Sequence, residues 1–320
     1  MPKKRTKDAF GAFVRALGGI IMLIAVAAAI MFVAYDRGAF ESCGARESEE
    51  RYYTPPLPKK GELSVYCLDV GQGDSFLLVS PDQRAMLIDS GDAVYSRRVI
   101  AVLSRLGIKQ LDTVVLTHPH TDHIGAMADI VKEFGAKNCC LPDAPFDNAA
   151  LAAAESALEA AGANKRYLWS GDKFFLGSDV EITVLSPVHG CEYALDDAND
   201  WCLMLRVEYG ETALLFTADA TVHAQLISMF HNEKELFEAD AVKVPHHGAA
   251  SSASLGFFET VSAEYALISC GAKNPYGHPD ASTLLALDSV GAKVLRTDRD
   301  GFITLFSNGK NLTAICEKQP

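Results

Sequence analysis

The chain has 320 residues, of which 49% are hydrophobic and 22% charged, with 24 glycines and 13 prolines; this excludes a disordered tail, a collagen-like fibre and a coiled-coil rod, and allows one large or two modest globular units. The formal charge of −12 argues against a surface built chiefly to grip nucleic-acid backbone. That average hides a split: residues 1–60 carry 10 basic and 6 acidic side chains, net +4, whereas residues 61–320 carry 19 and 35, net −16.

From Ala16 to Ala34 runs ALGGIIMLIAVAAAIMFVA, 19 residues without a charge. As a helix this spans about 28 Å, close to the thickness of a hydrocarbon core. Lys3, Lys4, Arg5, Lys7 and Arg15 precede the run, and Asp36, Arg37 and Glu41 follow it. The positive-inside rule therefore keeps the N-terminus in the cytoplasm and sends the rest outside. Residues 1–35 read as a basic tip and single transmembrane anchor, placing the protein in the cell membrane as a single-pass chain with an extracytoplasmic domain. The alternative is a cleaved signal peptide and a secreted product; the length of the run and the lack of a small-x-small site weigh against it. Residues 36–61 contain TPPLPKKG, where Pro55, Pro56 and Pro58 favour extended chain, so this segment reads as a linker.

Residues 62–320 read as one domain. LSVYCLDV, SFLLVS and AMLIDSG are strand-like runs broken by turn residues, and Tyr95 to Leu106 has helical spacing of apolar residues. DTVVLT is an apolar strand that ends at a histidine cluster, with IGAMADIVKEF as a following helix. NAALAAAESALEAAGA predicts a surface helix without chemistry, stopped by Gly162. DVEITVLS, CLMLRVEYG and TALLFTAD return as strands, the last two joined by a hairpin turn at YGET. AVKVP, a helix near Leu255 to Val261, YALISCG, a helix near Ser282 to Val290, AKVLRT and FITLFS complete the alternation. Two blocks of strands with helices on their outer flanks predict two facing sheets sandwiched by helices. Cys67, Cys202, Cys270 and Cys316 sit in apolar runs and read as core, while Cys139, Cys140 and Cys191 read as loop thiols or a disulfide.

The strongest chemical signal is THPHTDHIG, residues 117–125. His118 and His120 follow a strand end, and Asp122 and His123 open the next helix, so four metal-competent side chains converge. Imidazole with carboxylate suits zinc, and equally manganese or iron. His246 and His247 in VPHHG, Asp219 in LFTAD and His278 in NPYGHP each follow a strand-like run. Taken singly, each has an ordinary structural reading. Their shared position at strand ends would gather them around a second set of ligands.

The succession DVGQGDS (69–75), LIDSG (87–91), LTHPHTDHIGA (116–126), NDWCLMLRV (199–207), LFTAD (215–219), VPHHG (244–248) and NPYGHP (274–279) resembles the metallo-β-lactamase-fold domain of ComEC-type competence proteins. The matches run in order from about Leu63 to the C-terminus. The resemblance implies an α/β fold, an αββα four-layer sandwich, here preceded by one transmembrane helix. It also implies two divalent metal ions, zinc or manganese, with His118 and His120 on one, Asp122 and His123 on the other, Asp219 bridging and His247 completing the second site. His246 is the alternative to His247. Asp89 matches the acidic residue that supports the histidine loop from behind the ligands. Ala218 stands where the branch commonly has glycine and Cys202 where it commonly has serine. One apolar helix cannot make the multi-spanning channel of the competence proteins, so DNA uptake is not expected to transfer.

Two metals about 3.5–4 Å apart lower the pKa of a bridging water and clamp the attacking and leaving oxygens of a phosphodiester. The expected activity is therefore that of a metal-dependent hydrolase, a phosphodiesterase or nuclease acting on DNA or a smaller phosphodiester outside the membrane. Asp122, Asp219 and His278 are the expected catalytic residues, with His278 binding a phosphate oxygen or protonating the leaving group; Asn274 and Tyr276 would assist with substrate or merely form the turn. The acidity of the domain weighs against long polyanions. The alternatives are a metallo-hydrolase of a lactam, lactone or thioester, and a membrane-tethered binding module with a vestigial site. No protein partner is predicted.

Overall fold

The computed structural model describes residues 53–318. The apolar run at 16–34, the basic tip and most of the linker lie outside the described residues. Among the described residues no helix is long and apolar enough to cross a membrane.

Among the described residues, fifteen strands form two mixed sheets. The first has the order β15-β14-β1-β2-β3-β4-β5-β6, built from β1 (Leu63–Cys67), β2 (Phe76–Val79), β3 (Ala85–Ile88), β4 (Leu111–Val115), β5 (Ala136–Pro142), β6 (Asn164–Leu168), β14 (Ile303–Ser307) and β15 (Leu312–Cys316). The second has the order β13-β12-β11-β10-β9-β8-β7, with β7 (Lys173–Leu176), β8 (Val180–Ser186), β9 (Met204–Tyr209), β10 (Thr212–Phe216), β11 (Ala241–Lys243), β12 (Tyr265–Ile268) and β13 (Lys293–Arg296). In each sheet a four-strand block, β3 to β6 and β10 to β13, is parallel. Parallel neighbours require crossovers, supplied by helices α1 (Ser96–Arg105), α2 (Thr121–Ile124), α3 (Met127–Phe134), α4 (Ala149–Ala160), α5 (Val222–His231), α6 (Leu255–Val261) and α7 (Ala281–Ser289).

The period-two alternation of the strands builds the layers. Leu63, Val65 and Cys67 of β1 face Leu205, Val207, Leu214 and Phe216 of the other sheet across a shared core. Tyr66 and Leu68 point the other way, into a core shared with α1, α3 and α4. On the second sheet Leu215, Val242, Ala266 and Ile268 pack outward with residues of α5, α6 and α7. Three parallel slabs of apolar side chains thus separate four layers, an αββα sandwich.

Two expectations change, and one pair of alternatives is resolved. The end of the predicted linker belongs to the domain, because the Tyr66 hydroxyl donates to the Pro56 carbonyl at 2.8 Å and Tyr53 packs on Phe302. Cys139 and Cys140 are not loop thiols but lie buried on β5, one in each core that flanks the first sheet. All seven described cysteines, Cys191 included, are free thiols.

Candidate metal centre

The chemistry-bearing loops gather where the parallel strands end, the edge at which α/β sheets expose backbone and side chains to a ligand. Just after β3, Asp89 takes φ 55°. Its carboxylate accepts from the Thr117 backbone N–H at 2.9 Å and the Thr117 hydroxyl at 2.6 Å. The same carboxylate lies 2.7 Å from His123 Nδ1, and since a carboxylate only accepts, Nδ1 carries the proton. His123 Nε2 is then directed at Asp219 Oδ2, 3.2 Å away. Burial opposes a charge on His123, yet Asp219 and Asp89 raise its pKa to about 10. Burial pushes the neighbouring His118 well below the usual imidazole range.

Asp219 follows β10 on a tight turn in which Ala218 has φ 46° and accepts from the His246 N–H. After β11 the chain turns sharply, with φ of 50° at His246 and 55° at His247. His247 is buried; its Nδ1 donates to the Ser269 carbonyl at 2.9 Å, and its Nε2 lies 3.3 Å from Asp219 Oδ2 and 3.4 Å from Asp122 Oδ2. His246 keeps 28% of its side chain exposed, with Nε2 3.6 Å from Asp219 Oδ2. Burial alone would raise the Asp219 pKa, but the charges of His247, His123 and Lys243 hold it well below the usual carboxylate range.

Of the six residues expected as ligands, His123, Asp219 and His247 form the buried heart of the site. Asp122 borders it through His247. His118 touches it through ring contact with His123, centroids 4.1 Å apart, and approaches His120 with Nε2 3.0 Å from Nδ1. Two further residues were not anticipated. Asp74 offers an atom that lies, with one each from His123, Asp219 and His247, in a group within 4.8 Å of one another. Lys243, fully buried on β11, places its ammonium 2.6 Å from Asp74 and 3.2 Å from Asp219. Asp74 sits in the DVGQGDS motif, and Lys243 is a lone charge in an apolar strand, so the signals were present without their meeting point. Gly73 explains the motif's glycine: φ is 127°, and a Cβ there would fall 2.0 Å from the Asp122 carbonyl oxygen.

Above this cluster opens a cavity of about 380 Å³, lined by Gln72, His120, Thr121, Asp122, Asn148, Asp219, His246, His247, Tyr276 and His278. Tyr276 stacks on His278. Asn274 is absent from the lining: its Nδ2 donates to the carbonyls of Gly271 and His278, and its Oδ1 accepts from the N–H groups of Tyr276 and His278. Its four hydrogen bonds shape the turn. Conversely, α4 was expected to carry no chemistry, yet its N-cap Asn148 borders the cavity while donating to the Pro119 carbonyl.

These residues fit a divalent cation. The Nε2 atoms of His123 and His247 are buried without a hydrogen-bond partner, although both rings are fixed through Nδ1 and both Nε2 atoms face the Asp219 carboxylate. A buried nitrogen that faces a carboxylate in this way calls for a proton or a divalent cation between them. Imidazole and carboxylate together accept zinc, manganese or iron.

Comparison with known proteins agrees with this architecture. Residues 68–271 match the family model described as the metallo-beta-lactamase superfamily. The chain is 33% identical to ComE operon protein 3 of Bacillus subtilis over 78% of its length, and 29% identical to competence protein ComA of Neisseria gonorrhoeae over 78%. It spans 33% of the length of each of these two relatives. Among solved structures, the metallo-beta-lactamase fold protein YhfI of Bacillus subtilis superposes with a TM-score of 0.51 at 15% identity, covering 79% of this chain and 99% of the other. With the family model spanning more than half of the chain, and the two sheets and histidine loops in place, the chain belongs to the metallo-beta-lactamase superfamily.

Proposed function

We propose that this protein is a metal-dependent phosphodiesterase, hydrolysing DNA or a smaller phosphodiester. The observation that carries the reading is the cavity wall: every residue lining it is polar, four are histidines and none is aliphatic. Imidazole, amide and hydroxyl groups along the wall can donate to an anionic group with several acceptor oxygens.

His123, His247, Asp219 and Asp122 would hold divalent cations, with His118 and His120 completing the set; when bound, the cations supply Lewis acidity and an activated water. The rest of the work falls to the chain's own groups. Asp89 and the Ser269 carbonyl fix the His123 and His247 rings so that no reorganisation is needed when substrate arrives. His278 lines the cavity, with Nδ1 buried and unpartnered, and is assigned to the leaving oxygen as hydrogen-bond or proton donor. Tyr276, 67% exposed, offers a face and a hydroxyl at the mouth, and Gln72 and Asn148 add donors along the wall.

The net charge of −16 on residues 61–320 disfavours a long polyanion and favours a short or terminal phosphodiester. The apolar run at 16–34 supports a membrane-anchored protein with this domain outside. The substrate reading is tested by incubating the purified, metal-loaded protein with a bis-aryl phosphate, single- and double-stranded DNA and a chromogenic lactam. Phosphodiester cleavage is expected; turnover of the lactam alone overturns the assignment.

A further inference from the structure

Asp74, His123, Asp219 and His247 are grouped by distance, but they do not bear equally on a cation. Each imidazole has two edges. The Nε2 edges of His123 and His247 face Asp219 Oδ2, at 3.2 Å and 3.3 Å. Asp74 lies at the opposite edges, 3.4 Å from His247 Nδ1 and 3.9 Å from His123 Nδ1. Both Nδ1 atoms are already engaged, with the Ser269 carbonyl and the Asp89 carboxylate. An ion held by the Nε2 atoms has the two rings between it and Asp74.

What Asp74 does hold is Lys243. The ammonium reaches Asp74 Oδ2 at 2.6 Å, Asp219 Oδ1 at 3.2 Å and the Ala218 carbonyl, three acceptors for its three N–H bonds. Both Lys243 and Asp74 are almost wholly buried, where an unpaired charge of either sign is strongly disfavoured. Asp219 is divided between two duties. Its Oδ1 is tied to the ammonium, and its Oδ2 is left for His123, His247 and the cavity.

We propose that Lys243 is a built-in cation that neutralises Asp74 and positions Asp219, so that Asp74 is a counter-charge and not a metal ligand. This rests on the metal-dependent reading of the site. It distinguishes the four grouped residues by role: His123, His247 and Asp219 coordinate, and Asp74 acts on the site only through its hold on Lys243. Lys243 is a positioning residue; it touches neither substrate nor metal.

The test measures cobalt(II) binding to the full-length protein by titration and by visible absorption, for wild type, Asp74→Asn, Lys243→Met and Asp219→Ala, together with the Tm of each metal-free form and of the Asp74→Asn/Lys243→Met double variant. Asp74→Asn is expected to keep the wild-type number of ions and the wild-type absorption bands, with affinity reduced by about tenfold, the low end for a group acting from outside the ligands. Asp219→Ala should lose an ion. Lys243→Met should bind cobalt with shifted bands, because Asp219 Oδ1 is released; Lys243→Gln substitutes if the methionine variant does not fold. In the metal-free protein the double variant should be no less stable than the worse single one. Loss of an ion, or altered bands, in Asp74→Asn would make Asp74 a ligand and overturn the proposal, as would additive destabilisation by the two substitutions. If wild type binds no cobalt, the hydrolase reading fails, and the Tm cycle still decides the Lys243–Asp74 pairing.

Discussion

The Asp89 carboxylate lies 2.7 Å from Nδ1 of His123 and also accepts both the N–H and the hydroxyl of Thr117. One buried side chain thus fixes the tautomer of a metal-competent imidazole and the path of the loop that carries His118 and His120. Asp89→Asn replaces one acceptor oxygen by a donor and cannot satisfy all three partners. Metal affinity should fall by about 10- to 100-fold, the usual cost of losing a group that orients a ligand, while the circular dichroism spectrum stays that of the wild type. Unchanged affinity by calorimetric titration contradicts the role given to Asp89.

The paired histidines of PHHG are separable. His247 is buried against Asp219 and Asp122, whereas His246 is partly exposed on the cavity wall. His247→Ala should abolish binding of one metal ion, and His246→Ala should keep metal content and raise KM for the substrate. Elemental analysis of the two purified variants, beside their kinetics, checks the assignment; the reverse pattern would make His246 the ligand.

His278 and Asn274 share a turn but have different duties. His278→Ala should lower kcat by about 10²- to 10³-fold, as for a lost hydrogen-bond donor to the leaving oxygen, with Tm little changed. Asn274→Ala removes four hydrogen bonds that close the turn, so its Tm should drop and His278 should lose its placement with it. Thermal melts and steady-state rates on both variants separate the two outcomes.

The metal-free protein should lose stability toward alkaline pH. Burial opposes charge on His123 and His247, but surrounding carboxylates raise the first to about 10 and the second well above the ordinary value. Folded values above the unfolded value of about 6.5 mean that their contribution is complete below that pH and is lost as pH rises through the folded values. The depressed value of His118 adds nothing here, because that ring is neutral in both states above pH about 6.5. Calorimetry in chelator should show Tm falling from about pH 7 to about pH 9, and saturating metal should remove that fall, since cations bind the neutral imidazoles. A flat profile in chelator contradicts the electrostatics described.

Much of the site is legible in the sequence because its signals are local. Three histidines and an aspartate within six positions survive any uncertainty about packing. The four layers follow from the alternation of the strands, with β1 sending Val65 one way and Tyr66 the other. What is not legible depends on meetings between distant segments. Asp74 belongs to the loop after β1 and Lys243 to β11 of the other sheet, and only the closure of the sandwich brings them to 2.6 Å. Asn274 could equally reach substrate or shape its own turn, and only the folded loop brings out its four backbone partners. The pair Cys139 and Cys140 escapes recognition as strand because Lys137 and Asn138 before it and Pro142 after it break the apolar run.

Metal-dependent cleavage of a phosphodiester at the buried histidine–carboxylate cluster is the function we propose. Its most direct test is hydrolysis of a bis-aryl phosphate by the purified protein, before and after chelation and re-addition of zinc or manganese, beside His120→Ala and Asp122→Ala. Turnover is expected that chelation abolishes, that metal restores in the wild type, and that both variants lack. Turnover that persists in chelator, or in both variants, contradicts it.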